Sequence, residues 1–254
     1  MNGRQDLKSS GGMKIAGGEY GMVRVSGALK VEGTLDCEEM HASGAVKTGD
    51  DLRCAGKLSA SGAVRAAGSI QSGCIAASGA LEAGGELSCK GALHNSGSLS
   101  CGGKLTADEV KASGACRCGG DVRVRELVTS GRFEAANGVE AERFRSSGKL
   151  EIKGLLNAEE VDISLCTNSS IGDIGGSKIK VRRDCSFGIS FGKPHLDVKS
   201  IEGDTVELEL TNAEVVRGRF VRIGAGCNIG RVEYTEDLTV EGGTVREQVK
   251  NTAD

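Results

Sequence analysis

The sequence predicts an all-β fold: a single-chain parallel β-helix, in which short strands coil into a solenoid of triangular cross-section. Ser-Gly pairs recur at a nearly constant spacing, three apolar anchors follow each pair, and a glycine, asparagine or aspartate separates the first two anchors. The chain has 40 glycines, one proline and no tryptophan, so Leu, Val, Ile, Ala and Cys must fill the core. A stack of such repeats from residue 11 to residue 245 has about 13 turns.

The Ser-Gly pairs mark the turns. Their spacing is mostly one constant step, as from Gly27 to Gly44. Two steps are longer by one residue, from Gly44 to Gly62 and from Gly79 to Gly97. Self-similarity at a fixed short period indicates a stacked repeat architecture, so the chain is expected to pile similar turns on one another. The glycines of the eight pairs are Gly27, Gly44, Gly62, Gly79, Gly97, Gly114, Gly131 and Gly148.

The apolar anchors predict three short strands in each turn. In the turn that starts at Gly79 the anchors are Leu81, Leu87 and Leu93, which are evenly spaced. In an α-helix, residues at this spacing would not lie on one face, so the pattern does not predict a helix. Because successive side chains of a strand alternate between its faces, each strand directs a large and a small residue inward. The small inward positions that follow the first anchors are Val31, Thr48, Ala66, Ala83, Cys101, Cys118, Ala135 and Ile152.

The corners give a second test of the turn. Glycine, asparagine and aspartate accept left-handed backbone angles most readily, so we expect sharp left-handed bends where they recur. The longer turns carry an extra glycine, Gly56 or Gly91, which confines the insertion to the third corner. The recurring corner residues are Gly33, Asp50, Gly68, Gly85, Gly103, Gly120, Asn137 and Gly154.

Four segments follow from this pattern: a polar tail at 1–10, a Ser-Gly-repeat β-helix at 11–164, its continuation at 165–245 and a polar tail at 246–254. The Ser-Gly corner is lost after Ser164, but two apolar series that keep the spacing of the shorter Ser-Gly step indicate that the turns continue. An irregular loop near 182–195 is expected to bind a partner through Phe187, Phe191 and His195. The two series are Val181, Val198, Val215 and Val232, and Ile189, Val206, Ile223 and Val240.

The passage IEGDTVELELTNAEVVRGRFVRIGAGCNIGRVEYTEDLTVEGGTVREQVKN, from Ile201 to Asn251, resembles the end of bactofilins, the polymer-forming cytoskeletal proteins of bacteria. The glycine-rich repeat before it fits the same family. The resemblance implies a right-handed β-helix and nucleotide-independent, end-to-end filaments without polarity. It also implies a scaffold for cell shape, envelope or motility-apparatus assembly. The expected partners are further copies of the chain, a homologous bactofilin, and peripheral membrane or envelope proteins.

Charge and composition narrow the function classes. The net charge is −3, with 32 basic and 35 acidic residues spread along the chain, so no nucleic-acid partner is expected. No apolar run is long enough for a membrane span and no apolar signal region opens the chain, which predicts a cytoplasmic protein, membrane-associated at most. Lys30, Lys47 and Arg65 share one outward phase and form either a basic row for an acidic partner or anionic lipid, or a solvated face.

No cofactor, metal or catalytic residue is expected. Among ten cysteines only Cys116 and Cys118 are closely spaced, and most cysteines fall on inward phases as small hydrophobes. IGAGCNIG, from Ile223 to Gly230, is similar to hexapeptide-repeat acyltransferases, which use a histidine base, and this enzyme class stays open as an alternative beside a monomeric adaptor. His41 and His94 are expected to face solvent.

The ends of a β-helix expose unpaired strand edges, which promote association. The chain offers no convincing capping helix, so we expect these end rungs to stack between subunits. The predicted polymer interface consists of Met13, Ile15, Met22, Val23 and Val25 at one end and Leu238, Val240 and Val245 at the other.

Overall fold

A computed structural model describes residues 4–183 and 194–251. This part of the chain is all-β and contains no helix, and its parallel strands stack as a β-solenoid of about 14 turns, which confirms the predicted fold class. The chain forms two compact units, Met1–Arg125 and Glu126–Asp254, which we call unit one and unit two.

Unit one is built from short strands in a repeating order. Short strands, which in most turns follow a Ser-Gly corner, form side A of each turn. Longer strands bend in the middle, so that in β5 Leu35–Cys37 lies on side B and Met40–Ala42 on side C. The strands are β1 (Leu7–Ser9), β2 (Gly12–Ile15), β3 (Gly18–Val25), β4 (Ala28–Val31), β5 (Leu35–Ala42), β6 (Ala45–Thr48), β7 (Leu52–Ala60), β8 (Ala63–Ala66), β9 (Ile70–Ala77), β10 (Ala80–Ala83), β11 (Leu87–Cys89), β12 (Ala92–Asn95), β13 (Ser98–Cys101), β14 (Leu105–Ala112) and β15 (Ala115–Cys118).

Unit two starts with the same pattern and then changes to longer strands. In its later turns one strand runs through sides A, B and C without a break, as in β21 and β22. The remaining strands are β16 (Val122–Thr129), which contains the division between the units, β17 (Arg132–Ala135), β18 (Val139–Ser146), β19 (Lys149–Leu165), β20 (Ser169–Arg183), β21 (Leu196–Leu208), β22 (Thr211–Ile223), β23 (Asn228–Val240) and β24 (Thr244–Lys250).

The predicted anchors form the core. Leu81, Leu87 and Leu93 are at most 1% exposed, and each pairs in register with the equivalent residue of a neighbouring turn, as Leu81 does with Leu99. Each fully buried side chain of this size contributes roughly 1.5–3 kcal/mol relative to an exposed one. All the large anchors and small inward residues of the Ser-Gly repeat are buried, so the inward phases are confirmed.

The prediction of left-handed angles at the Ser-Gly repeat's corner glycines is wrong. Among the described residues, only Leu210 and four glycines, Gly17, Gly18, Gly226 and Gly242, have positive φ. Glycine is needed at the repeated corners because neighbouring turns approach closely there. A Cβ on most corner glycines would lie under 3.0 Å from the preceding turn, as on Gly79 against the Gly62 carbonyl oxygen.

The longer turns absorb their extra residue at the third corner, as predicted. β7 pairs with β9 in one register through Cys54 and in a register shifted by one residue from Lys57 onward. The shift therefore lies in the bend that contains Gly56. In the other long turn, β11 ends at Cys89 and β12 begins at Ala92, with Gly91 between them. The insertion therefore stays in a bend.

The constant spacing predicted for the later turns is confirmed at one step and wrong at others. Ile223 pairs with Val240 as predicted. Val198 instead pairs with Ala213, and Val216 with Val232, so these steps are shorter than those between the Ser-Gly pairs. Val215 is only half-buried because it neighbours the inward-facing Val216 and points to the other face. The turns are shorter because two corners lose one residue each. Inward-facing Ile201, for example, follows inward-facing Val198 one position sooner than the equivalent pair does in the Ser-Gly turns.

Strand structure extends into both segments predicted as tails, through β1 and β24. In the predicted irregular loop, Pro194 is buried and His195 is half-exposed. Phe187, Phe191 and Ile189 lie outside the described residues.

Candidate functional site

The N-terminal edge consists of β1 on side C, β2 on side A and Gly18–Tyr20 of β3 on side B. Among the described residues, β1 pairs only with Val23–Val25 and β2 only with β4. The outer N–H and C=O groups of these strands therefore have no strand partner, which makes the edge a template for another strand. Met13 and Ile15 are half-buried here, whereas their neighbours Leu29 and Val31 are at most 2% exposed.

The rest of the predicted N-terminal interface is partly covered. Val23 is 0% and Val25 2% exposed, because β1 places Leu7 opposite Val23 and Ser9 opposite Val25. Met22 is half-buried. Leu7, half-buried at the edge itself, was missed because it falls in the predicted tail. The available signal was that Leu7 precedes its partner Val23 by about one turn.

The C-terminal edge consists of β24 on sides A and B and Asp237–Val240 of β23 on side C. Within the described residues, Asp237–Val240 pairs only with Phe220–Ile223, and β24 pairs only with β23. Val240 is 38% exposed, although the preceding member of its column, Ile223, is fully buried. Leu238 and Val245 are half-buried, so inward-facing core positions continue into solvent at this edge.

The cysteines occupy mostly interior positions. Cys37, Cys54, Cys89, Cys101 and Cys118, assigned to inward phases, are all buried, whereas Cys74 and Cys166 are exposed. Cys101 and Cys118 are direct neighbours on adjacent strands, and the hydrogen bond between their thiols, together with burial, raises the pKa of Cys101. In residues 4–183 and 194–251, no three His, Cys, Asp or Glu side chains are grouped to hold a metal ion.

The histidines lie apart from one another. His41 and His94 are exposed, as predicted. The Nε2 atom of His195 lies 3.1 Å from a carboxylate oxygen of Asp197, and the His195 carbonyl accepts a hydrogen bond from the Ser169 amide. Of the three residues of the predicted partner-binding loop, the described structure contains His195, which directly precedes β21.

The predicted basic row is present on side A. Register stacks Lys14, Lys30, Lys47 and Arg65 in successive turns, and Glu82 follows next. Lys14 and Arg65 are engaged by glutamates, with Lys14 Nζ 2.5 Å from Glu32 and Arg65 Nε 3.1 Å from Glu82. The two lysines between them therefore stand next to positions that are already neutralised, which weakens the row as an anion site.

A groove of about 610 Å³ crosses the outer face of unit two. Arg217 lines this groove, with its guanidinium 3.0 Å from Glu233 and 3.9 Å from Glu202. At another point Ser200 donates a 2.5 Å hydrogen bond to Asp173. These polar groups satisfy one another, and the arrangement resembles a surface ion-pair network more than a catalytic centre.

Comparison with known proteins gives two partial matches. An 82-residue stretch, 32% of this chain, is 49% identical to the uncharacterized protein YhbF of Bacillus subtilis, and 97 residues, 36% of the chain, are 39% identical to the uncharacterized protein YhbE of the same organism. The matches span 34% and 40% of the lengths of these relatives. No family model and no solved structure matches the chain. The described residues form no helix that could cross a membrane.

Proposed function

We propose that the chain is a subunit of a structural scaffold that assembles end to end, without nucleotide, into filaments. The observation that carries the proposal is that both edges are open. Among the described residues, β1 and β2 at one end and β24 with Asp237–Val240 at the other lack an outer strand partner. Natural sheets usually cover or blunt such edges, because they pair readily with other chains.

Two further features support assembly. Half-exposed apolar residues continue the core columns to the edges, and covering a Leu or Val side chain contributes roughly 1.5–3 kcal/mol. The outer backbone donors and acceptors of the edge strands also lack a strand partner among the described residues. A second copy can cover the apolar side chains and pair with the backbone groups at the same time. Its edge strands can lie about 4.8 Å from those of the first copy, which is the ordinary spacing of paired strands.

The wider role rests on the resemblance to bactofilins. In that role the filament is cytoplasmic and positions partner proteins along its repeated outer rows, at the membrane or in envelope or motility-apparatus assembly. A homologous bactofilin could share the filament. The relatives YhbF and YhbE, being uncharacterized, add no function to this proposal.

Negative-stain electron microscopy of the purified chain, without nucleotide and over a range of salt, tests the proposal. We expect uniform filaments a few nanometres wide. Ile15→Asp and Val240→Asp place a carboxylate on each edge and should leave folded monomers, which light scattering and circular dichroism would show together.

Thr106→Asp is the matched control, because Thr106 is exposed on an inner turn of unit one and should not affect filaments. Filaments that persist in both edge variants would contradict the proposed edges. If the unaltered chain forms only monomers, the adaptor alternative replaces the filament.

A further inference from the structure

Charged side chains are segregated around the first turns of unit one. Between residues 4 and 51, every aspartate and glutamate lies on side B or at one of the two corners that bound it. Some are held there by a cation, as Glu19 and Asp36 are by Arg4 at 3.1 and 2.8 Å. In this described stretch, sides A and C and the Ser-Gly corner that joins them carry no carboxylate side chain. The carboxylates on and around side B are Asp6, Glu19, Glu32, Asp36, Glu38, Glu39, Asp50 and Asp51.

Cations border the same Ser-Gly corner on both sides. Lys8 and Arg24 stack in register on side C, and Lys30 and Lys47 do so on side A. All four side chains are exposed, and none of them forms an ion pair within the described residues. Taken alone, the row on side A is weakened by the glutamates that pair with its outer members. The row on side C strengthens it across the corner, and we call these four residues, with the Ser-Gly corners between them, the basic corner.

The surface between the two rows is made of small residues. Ser26–Ala28 covers it in one turn and Ser43–Ala45 covers it in the next. On side A the small residues leave a trough of about 360 Å³, whose lining includes Lys14, Lys30 and Lys47 and, among the described residues, no carboxylate. A flat anionic surface can therefore approach both rows closely, because no large side chain stands between them in these two turns.

We propose that an anionic lipid membrane binds at the basic corner. The inference rests on the proposed role at the membrane and names the surface that makes the contact. All four cations belong to unit one, and they lie in turns that stack directly on one another. Binding at this corner therefore needs no filament and can be measured apart from assembly.

The even array of cations favours a membrane over other polyanions. Strand spacing places successive cations of a row about 4.8 Å apart, and mobile lipid headgroups can move to match that spacing, whereas a protein partner would need carboxylates fixed at it. No aromatic residue occurs in Ser26–Lys30 or Ser43–Lys47, although proteins usually bind single-stranded nucleic acids by stacking the bases on aromatic side chains. Each lysine or arginine close to an anionic membrane strengthens binding about fivefold, so four of them predict an association that depends strongly on salt.

Vesicle flotation tests the proposal, because filaments alone do not float. The purified chain is mixed with vesicles that contain phosphatidylglycerol and phosphatidylcholine in equal parts, and separately with vesicles of phosphatidylcholine alone. We expect the chain to float with the anionic vesicles at low salt and not with the neutral ones. Binding should be lost at about 1 M salt, where the screening length falls to about 3 Å.

Two double variants locate the contact. Lys8→Gln with Arg24→Gln removes the row on side C, and Lys30→Gln with Lys47→Gln removes the two unpaired lysines on side A. Each double variant should weaken binding to the anionic vesicles at least about tenfold. Circular dichroism checks that both remain folded, which is expected because all four side chains point outward.

Lys57→Gln with Lys90→Gln is the matched control, because it removes the same charge from exposed positions at the corner between sides B and C. It should change the affinity for anionic vesicles less than about twofold. An equal loss in the control, or an effect of only one of the two test variants, would overturn binding at the basic corner. Tighter binding of a DNA duplex than of the anionic vesicles would overturn the choice of a membrane.

The results for lipid and for assembly are separable. If the unaltered chain forms filaments but does not float with anionic vesicles, the membrane contact is overturned and the filament proposal stands. If it floats with them but forms no filaments, and the two test variants do not float, the membrane contact is supported and assembly is overturned.

Discussion

The Ser-Gly turns and the later turns of unit two build similar triangular layers with different corners. In the Ser-Gly turns, the corner backbone joins the hydrogen-bond ladder, as when the Ala80 amide donates to the Gly62 carbonyl at 3.2 Å. That approach leaves no room for a Cβ on Gly79. In the later turns the strands run through two corners. A residue with positive φ lies in the remaining bend of each of the last three, namely Leu210 at 52°, Gly226 at 76° and Gly242 at 78°.

The difference shows which parts of the repeat are obligatory. The alternation of inward and outward residues is kept in both regions, because it alone buries the apolar side chains. The corner length is not kept, and each shortened corner changes the turn by one residue. The number of residues in a turn therefore depends on the type of corner. A period found in the Ser-Gly turns does not extend to turns whose corners differ.

The largest expected effect tests the register of the later turns. Val216→Asp buries a carboxyl group at a position that is 0% exposed and should cost about 4 kcal/mol or prevent folding. Val215→Asp, on the adjacent outward position, should cost less than about 1 kcal/mol. Urea denaturation monitored by circular dichroism compares the two. Equal losses, or a larger loss at Val215, would favour the constant spacing expected from the sequence over the register in the structure.

The second prediction compares glycines of the two regions. Gly79→Ala should destabilise the chain by about 3 kcal/mol, because its Cβ forces neighbouring turns apart. Gly175→Ala should cost less than about 1 kcal/mol, because a Cβ there meets the Asn157 and Leu155 side chains at 3.3 and 3.9 Å. Thermal unfolding of both variants measures the difference. A similar loss of stability at the two sites would contradict the prediction.

These contrasts also show what could be predicted from the sequence. The fold class and the inward residues up to Val161 follow from alternation, because eight repeats align the same phases. The reason for the glycines did not follow, because close approach between turns is a tertiary property that residue preference cannot reveal. The later register failed because Val215 and Val216 are both valines, so spacing alone could not tell the inward one from the outward one.

The candidate site was predicted in part. Edge residues such as Ile15 and Val240 follow from the idea that a solenoid has two open ends. The cover that β1 places over Val23 and Val25 did not follow, because Leu7–Ser9 is too short to show alternation.

The third prediction concerns thiol reactivity in the two regions. Burial raises the pKa of Cys227 in the later turns, and a thiol neighbour as well as burial raises that of Cys101 in the Ser-Gly turns. Both should react with Ellman's reagent at pH 8 at least about 100-fold more slowly than exposed Cys74 and Cys166, because the turn must open first. Mass spectrometry of labelled peptides over time measures this. Rapid labelling of Cys227 alone would show that the later turns open more easily.

The smallest expected effect compares two carboxylates. Asp51 accepts a 2.8 Å hydrogen bond from the Ser69 amide at a Ser-Gly-region corner, which is the main cause that lowers its pKa. Glu207 pairs with Lys180 at 2.9 Å on the surface of the later turns, which lowers its pKa. Asp51→Ala should cost about 1 kcal/mol at pH 7, through the lost hydrogen bond, and Glu207→Gln only a few tenths of a kcal/mol.

The sign of the pH dependence follows from the depressed pKa values. A carboxyl group whose folded-state pKa is lowered stabilises the fold above its unfolded pKa of about 4, and this contribution is lost as the pH falls through the folded value. The difference in unfolding free energy between the unaltered chain and Asp51→Ala should therefore shrink between pH 5 and about pH 2. Added salt should reduce the effect of Glu207→Gln and reduce that of Asp51→Ala only in part. Screening acts on the exposed ion pair of Asp51 with Arg53, which is 3.0 Å away, and not on the hydrogen bond from the Ser69 amide. An Asp51→Ala effect that is constant with pH would mean that the corner depends on the shape of the side chain and not on its charge.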